Sequence, residues 1–338
     1  MRAIWEDIYL AETKSSFDGA TIDSAPKTFI TGGVGTASNT YALPLTANPN
    51  FAMGMSPLTS EKMAGVLVNQ AENYAAGSIL PSTNFALELD ARTLGFLGWL
   101  FFQKGAEEEI GHPFKQKTFT VPDSSGCEVW STLCRVQSVN QAMSEIIDGA
   151  ICKGLSIGGA EGGALTLKAD MVGRYYSNAF NISSQSSLFN YPEARVCLFQ
   201  NVSIAVAGYT VNFLQSFDMS LENGAYPRYY GVGYPYDFRL GKMTGRLSFT
   251  LPLDQNTNLL RSLSMTNPAT VSLAIGGGAL PESPTPIHIE FAGIFQEPQT
   301  TGQDELQVQL QVDLTTLIGD ADSPIVIVCD DNVSRGIL

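Results

Sequence analysis

The sequence predicts a mainly β protein of antiparallel sheets, with few, short helices and two copies of one domain in tandem. Three observations carry this. Apolar and polar residues alternate in run after run. Gly- and Asn-containing turns punctuate those runs. One strand-then-helix unit also occurs twice. Phe85 to Asp90 reads FALELD, and Phe249 to Asp254 reads FTLPLD. A Thr follows each Asp at the third position (Thr93, Thr257), and an apolar run comes next. The first run holds Leu94, Phe96, Leu97, Trp99 and Leu100; the second holds Leu259, Leu260 and Leu263. The offset of 164 residues in a chain of 338 falls near the midpoint. That length exceeds one ordinary core and suits two domains. Between Arg174 and Arg195 the composition turns to Ser and Asn, so domains of residues 1–180 and 181–338 are expected.

Taken along the chain, the predicted strands share one logic. Leu165, Leu167, Ala169 and Met171 alternate with polar neighbours. So do Val202, Ile204 and Val206; Phe217, Met219 and Leu221; and Leu247, Phe249, Leu251 and Leu253. Ile287, Ile289 and Phe291 repeat the pattern, and Leu306 to Leu314 is the longest instance. A period of two puts one face in a core and one in solvent. Turns are expected at Gly158-Gly159, Gly162-Gly163, Glu222-Asn223-Gly224 and Gly276 to Gly278. Ala91 to Gln103 is the best helix; Gly95 and Gly98 weaken it or let a strand come close. Asn256 to Ser264 is its expected counterpart. Thr59 to Ala76 reads either as helix or as strand and loop. Lys14 to Asn50, Tyr175 to Pro192, Gln296 to Glu305 and the tyrosine-rich Tyr226 to Tyr236 (YPRYYGVGYPY) lack periodicity and are expected as loops.

Composition narrows function. Hydrophobic residues make up 44% and charged residues only 15%, so ample cores coexist with a largely neutral polar surface. Net charge is −14, from 33 acids and 19 bases. That argues against a nucleic-acid reader, whose affinity comes from neutralising phosphates. It does not exclude a surface past which nucleic acid slides without sticking, since an acidic wall repels phosphate. Five widely spaced cysteines do not make a secreted disulfide framework, and Cys127 and Cys134 lack zinc-ligand spacing. No basic-then-apolar leader is visible at the N-terminus. The longest apolar run, Leu94 to Phe102, is too short to span a bilayer. A soluble protein made in a reducing cytoplasm, with no membrane partner, is the expectation.

Catalytic chemistry finds little support, so no catalytic residue, cofactor or metal site is expected. The chain has two histidines: His112 precedes Pro113, and His288 lies between Ile287 and Ile289 on a predicted strand. A Ser–His or Cys–His site would have to use one of these two, but no nucleophile-elbow GxSxG pattern is present, and no phosphate-cradling glycine motif has its strand–helix setting or its lysine. Glu107, Glu108 and Glu109 are expected in a solvated turn. Asp320, Asp322, Asp330 and Asp331 lack EF-hand spacing. The YPRYYGVGYPY segment fits a sugar platform, an inter-subunit contact or plain loop packing.

The order of elements resembles the major tail tube proteins of long non-contractile, siphovirus-type phage tails. Five stretches carry the likeness: FALELDARTLGFLGWL, the strand region Gly149 to Ile157, GALTLKADMVG, SFDMSLENG and LGKMTGRLSFTLPLD. Val271 to Asp331 fits the closing strands. The resemblance implies two tandem tail-tube-like β-sandwich or barrel domains, each with a short flanking α-helix. It implies a non-enzymatic virion protein whose sheets join edge to edge around a ring. A duplicated chain would form trimeric rings, stacked head to tail, with tape-measure, tail-tip and terminator proteins as partners. Phage DNA would pass through the lumen. Candidate luminal faces carry Glu88 and Asp90, or Gln307, Gln309 and Gln311. Candidate contact loops are the N-terminal segment, Lys104 with Glu107, Glu108 and Glu109, and Tyr229 with Tyr230. Another virion β component, such as a tail-tip or decoration protein, and a carbohydrate-binding β-sandwich are the alternatives.

Overall fold

The computed structural model describes residues 6–13, 40–43, 45–46, 49, 51–55, 58–59, 74–75, 77–111, 114–122, 125–127, 129–137 and 144–180 in the first part of the chain. In the second it describes 197–206, 208–211, 213–229, 233–252, 269–276, 287–296, 299–301, 305–313 and 323–331. The fold is mainly β, as the alternation predicts. The strands begin with β1 (Glu6–Thr13), β2 (Thr40–Leu43), β3 (Leu58–Thr59), β4 (Tyr74–Ala75) and β5 (Ser82–Glu88). Helix α1 (Ala91–Phe102) follows, then β6 (Ala106–Gly111), β7 (Phe114–Thr120) and β8 (Trp130–Gln137). β9 (Ser144–Ala160), β10 (Thr166–Val172) and β11 (Tyr175–Phe180) come next. After a 3-10 turn at Phe199–Asn201 come β12 (Val202–Val206), β13 (Tyr209–Val211), β14 (Ser216–Glu222), β15 (Tyr226–Arg228) and β16 (Asp237–Arg239). The remainder is β17 (Thr244–Pro252), β18 (Ala269–Ile275), β19 (Ile287–Phe295), β20 (Gln299–Thr301), β21 (Glu305–Asp313) and β22 (Ile325–Asp331).

All pairings among these strands are antiparallel, and one set of them occurs twice. β1 pairs with β2 and β8; β12 pairs with β13 and β18. β9 pairs with β8, β10 and β11; β19 pairs with β18, β21 and β22. β5 pairs with β10 as β17 pairs with β21. The small two-stranded sheets β3–β4 and β15–β16 complete the parallel. The described parts of the repeated FxLxLD segments therefore lie in β5 and β17 and, in the first copy, reach the cap of α1.

β9 and β19 each turn a corner. The first part of β9 lies in a flanking sheet with β8 and β11, and its second part lies beside β10. β19 does the same between its flanking sheet and β21. A shared sheet results, in the order β5, β10, β9, β14, β17, β21, with β20 and the end of β19 beyond. It joins the two halves of the chain through seven consecutive β9–β14 pairs. The β6–β7 hairpin joins them again, since β7 pairs with β22. Buried residues from both halves form one continuous core.

Helix α1 packs on β7, β9 and β22 within that core. Asp90 caps it: the Thr93 amide and hydroxyl both donate to Asp90 Oδ2, at 3.4 Å each. That explains the spacing of Asp90 and Thr93. Gly98 lets Phe119 approach: a Cβ there would lie 2.7 Å from the ring. Gln103 ends the helix in the left-handed region (φ 59°). Its side chain donates to Leu100 O (2.8 Å) and accepts from the Val129 amide (2.7 Å). The predicted second helix, Asn256 to Ser264, lies outside the described residues, as does most of Thr59 to Ala76.

Several expected loops contain strands. Lys104 to Phe114 is largely the β6 arm of a hairpin, and β6 places Glu107 and Glu109 opposite Lys117 and Lys115. The three glutamates are thus strand residues, not a solvated turn. Tyr175–Phe180 is β11, held by Ile146, Ile147 and Asp148 of β9. β2, β15 and β20 likewise fall in segments without periodicity. Backbone pairing to a neighbour made these strands, and pairing leaves no mark in the alternation. Gly158-Gly159 is inside β9, not at a turn; the turn follows at Gly162, φ 79°.

Candidate functional site

The shared sheet has one apolar face and one polar face, as the period of two requires. Inward go Phe85, Leu87, Leu167, Leu155, Ile157, Met219, Leu247 and Phe249, all buried. Directly paired residues of antiparallel strands share a face, so the register aligns the outward positions in rows. One row runs Glu88, Thr166, Gly158, Asp218, Ser248, Gln309. The next runs Ala86, Lys168, Ser156, Ser220, Arg246, Gln311. A third runs Asn84, Asp170, Gly154, Glu222, Thr244, Asp313. Gln307 falls opposite Thr250 in the same set.

Glu88 and the glutamines at 307, 309 and 311 thus occupy one face of one sheet, although they lie at opposite ends of the sequence. Asp90 does not join them; it is buried at the start of α1. Burial is the main cause that raises its pKa, while Arg92 and the Thr93 and Arg92 amides pull the other way. On the polar face the exposed carboxylates of Glu88, Asp170, Asp218 and Glu222 outnumber the exposed cations of Lys168 and Arg246. Such a face is wet, mixed in sign and acidic on balance.

Small residues flatten the middle of it. Gly158 leaves a shallow hollow of about 250 Å³ bordered by Ser156, Thr166, Lys168 and Asp218. A Cβ at Gly158 would stand 3.0 Å from the Phe217 carbonyl oxygen of β14. Glycine there lets the two halves of the chain approach where β9 meets β14.

Asn223, just after β14, secures that meeting. Its Nδ2 donates to Phe101 O of α1 (3.0 Å) and Cys152 O of β9 (2.8 Å). Its Oδ1 accepts from the Ala225 amide (3.1 Å). The side chain is fully buried. Sequence alone marks Asn223-Gly224 only as a turn; the partners come from distant strands.

The proposed contact residues are spread out. Lys104 and Glu108 are exposed at the start of the β6–β7 hairpin. Tyr229 follows β15, and its hydroxyl donates weakly to Ile79 O (3.5 Å). Tyr230 lies outside the described residues, as do His112, Asp320 and Asp322. In the same tyrosine-rich segment the rings of Tyr234 and Tyr175 stand 5.3 Å apart. His288 is half-exposed beside Glu290 (3.3 Å) on β19.

Among the described residues, no group of three or more His, Cys, Asp and Glu side chains could hold a metal ion. Burial pushes the Cys127 and Cys197 thiols up to about 12, far from a reactive thiolate. No described helix is long and apolar enough to cross a membrane. No curated protein matches the chain. A family model described as phage tail tube protein matches residues 16–315. With a mainly β fold and a match over most of its length, the chain belongs to the phage tail tube protein family, a structural family of the virion tail.

Proposed function

We propose that three copies of this chain close into a ring, that rings stack head to tail into the tail tube, and that phage DNA leaves through its lumen. One observation carries the reading: the same set of strand pairings occurs twice, and β9–β14 pairing joins the first set to the second in one shared sheet. A sheet extended in that way around an axis closes on itself and has no edge left to protect. Residues 1–180 and 181–338 are then two tube domains, and three chains supply six of them. The contact between chains is heterologous, because the two ends of the shared sheet differ.

The outward face of the shared sheet lines the lumen in this reading. Its carboxylates, including Glu88, repel phosphate, its serines and threonines stay hydrated, and the positions of Gln307, Gln309 and Gln311 extend the same rows. DNA then slides without binding. The β6–β7 hairpin with Lys104 and Glu107 to Glu109, the segment around Tyr229 and Tyr230, and the N-terminal segment serve contacts between rings. The protein has no enzymatic role and no cofactor. Its other partners are the tape-measure, tail-tip and terminator proteins.

Negative-stain electron microscopy of the concentrated protein tests this. Hollow tubes built from rings of three chains are expected. Rings of six chains would overturn the duplication and keep the tube. Dispersed monomers at all concentrations, even with tail-tip components added, would overturn the tube itself.

A further inference from the structure

The chain contains one Asn-Gly pair, Asn223-Gly224, and it sits at the join between the two halves. Asparagine before glycine is the pair most prone to lose its side-chain amide spontaneously. The backbone nitrogen of the glycine attacks the side-chain amide carbon, and glycine leaves that path open because it has no Cβ and bends freely. This lability is one reason why asparagine counts among the thermolabile residues.

The fold demands both residues nonetheless. Gly224 has φ 60°, in the left-handed region, and a Cβ there would stand 2.7 Å from Lys242 O. Another residue would meet strain and a collision together. Position 223 needs an amide. Its Nδ2 supplies two N–H donors for two carbonyls, Phe101 O of α1 and Cys152 O of β9. Its Oδ1 accepts from the Ala225 amide. An ionised aspartate has no donor for either carbonyl, and serine has one.

The same bonds hold the pair out of reaction. For ring closure the Gly224 nitrogen must come onto the Asn223 side-chain carbon, so the side-chain amide has to turn and give up its partners. The backbone is held as well. The Asn223 amide donates to Lys153 O, and the Asn223 carbonyl accepts from the Gly241 amide, at 3.1 Å each. The departing nitrogen must also take up a proton before it leaves. Asn223 is 0% exposed, so water does not reach that nitrogen. Both requirements are met only when the join opens.

We propose that Asn223 is a deamidation site that folding closes, so that chains left unfolded are converted there and cannot return to the native fold. In the unfolded chain the Gly224 nitrogen bonds to the Asn223 side-chain carbon and gives its proton to water. The bond from that carbon to Nδ2 breaks, and the nitrogen takes up a proton and leaves as ammonia. A five-membered succinimide remains. Water then opens it at one of its two carbonyls, to aspartate or to isoaspartate. No electron is transferred, and water is the one co-reactant. Either product is wrong for the join. Aspartate sets carboxylate oxygens against Phe101 O and Cys152 O in a buried site, with no donor between them. Isoaspartate also adds a carbon to the main chain, which displaces Gly224 from its place against Lys242. Nothing in this chemistry depends on how many chains make a ring.

Peptide mapping by mass spectrometry tests it. The full-length chain is held at mildly alkaline pH, either native or unfolded in guanidinium chloride, and position 223 is followed with time. Conversion to aspartate and isoaspartate is expected in the unfolded chain. In the native chain it is expected to be on the order of a hundredfold slower, because the side chain's three hydrogen bonds must open first. The variant Asn223→Asp makes one product directly, and it is expected to be insoluble or to melt well below wild type. Equal rates in the two states would overturn closure by folding. A wild-type melting temperature for Asn223→Asp would overturn the loss of converted chains. An unfolded chain that keeps its asparagine would overturn the site itself.

Discussion

Burial works against the charge on Asp90, even though the helix amides that it caps work for it. The folded chain therefore holds the proton more tightly than the unfolded chain does. The stability that this group contributes is fully present below about pH 3.8, the ordinary value, and is lost as the pH rises through the raised folded value. Asp90→Asn keeps an acceptor for Thr93 without the charge. Its melting temperature relative to wild type should therefore be higher at pH 7 than at pH 4. Asp90→Ala loses the cap as well, at a cost of about 1 kcal/mol, and its melting temperature relative to wild type should follow the same trend with pH. Asn223 is the second residue of consequence. Asn223→Ala would leave Phe101 O and Cys152 O without a donor at the join between the halves. Urea melts should show a loss of about 2–3 kcal/mol, more than a solvent-facing turn asparagine would cost.

At the scale of elements, α1 shows how packing overrides propensity. Gly95 and Gly98 both count against a helix, by about 1 kcal/mol each relative to Ala. The helix forms because ten of its twelve residues are buried and Asp90 and Gln103 cap its ends. Gly98 is where Phe119 of β7 lies across the helix, with its ring stacked on Phe102 (6.0 Å) and meeting Trp99 edge-on (5.3 Å). Gly98→Val should destabilise the chain by about 1–3 kcal/mol through overpacking, despite removing a glycine. Phe119→Leu should recover part of that loss in urea melts, which a purely helical effect would not permit.

At the scale of the molecule, the two halves share a core and two sheet junctions, β9–β14 and β7–β22. Residues 1–180 made alone would expose the second part of β9 and the β7 edge. Residues 181–338 made alone would expose β14 and β22. Each fragment should aggregate or elute as an expanded species in size-exclusion chromatography, and coexpression should restore one complex of wild-type size. Two compact, monomeric fragments would show that the junctions contribute little to stability. Among the described residues, the β6–β7 hairpin has no counterpart in the second half.

Alternation in the sequence determined the strands that carry one buried face: β10, β14, β17, β19 and β21 lie where the period of two puts them. The repeated FxLxLD with its Asp and Thr also marked β5, β17 and the start of α1, because a cap and a strand-to-helix change of period are local events. What lay beyond the sequence was pairing. Tyr175–Phe180, Ala106–Gly111 and Gln299–Thr301 are strands because a neighbour's backbone hydrogen-bonds to them, and hydrogen bonding leaves no side-chain pattern. The sequence offered Glu88 with Asp90, or the glutamines at 307, 309 and 311, as rival faces. The register placed Glu88 and the glutamines on one face and sent Asp90 to the helix cap, since which face a residue joins depends on the strand beside it. The tertiary structure alone decided which strands lie side by side, because the pairing of β9 with β14 and of β7 with β22 joins residues far apart in the sequence.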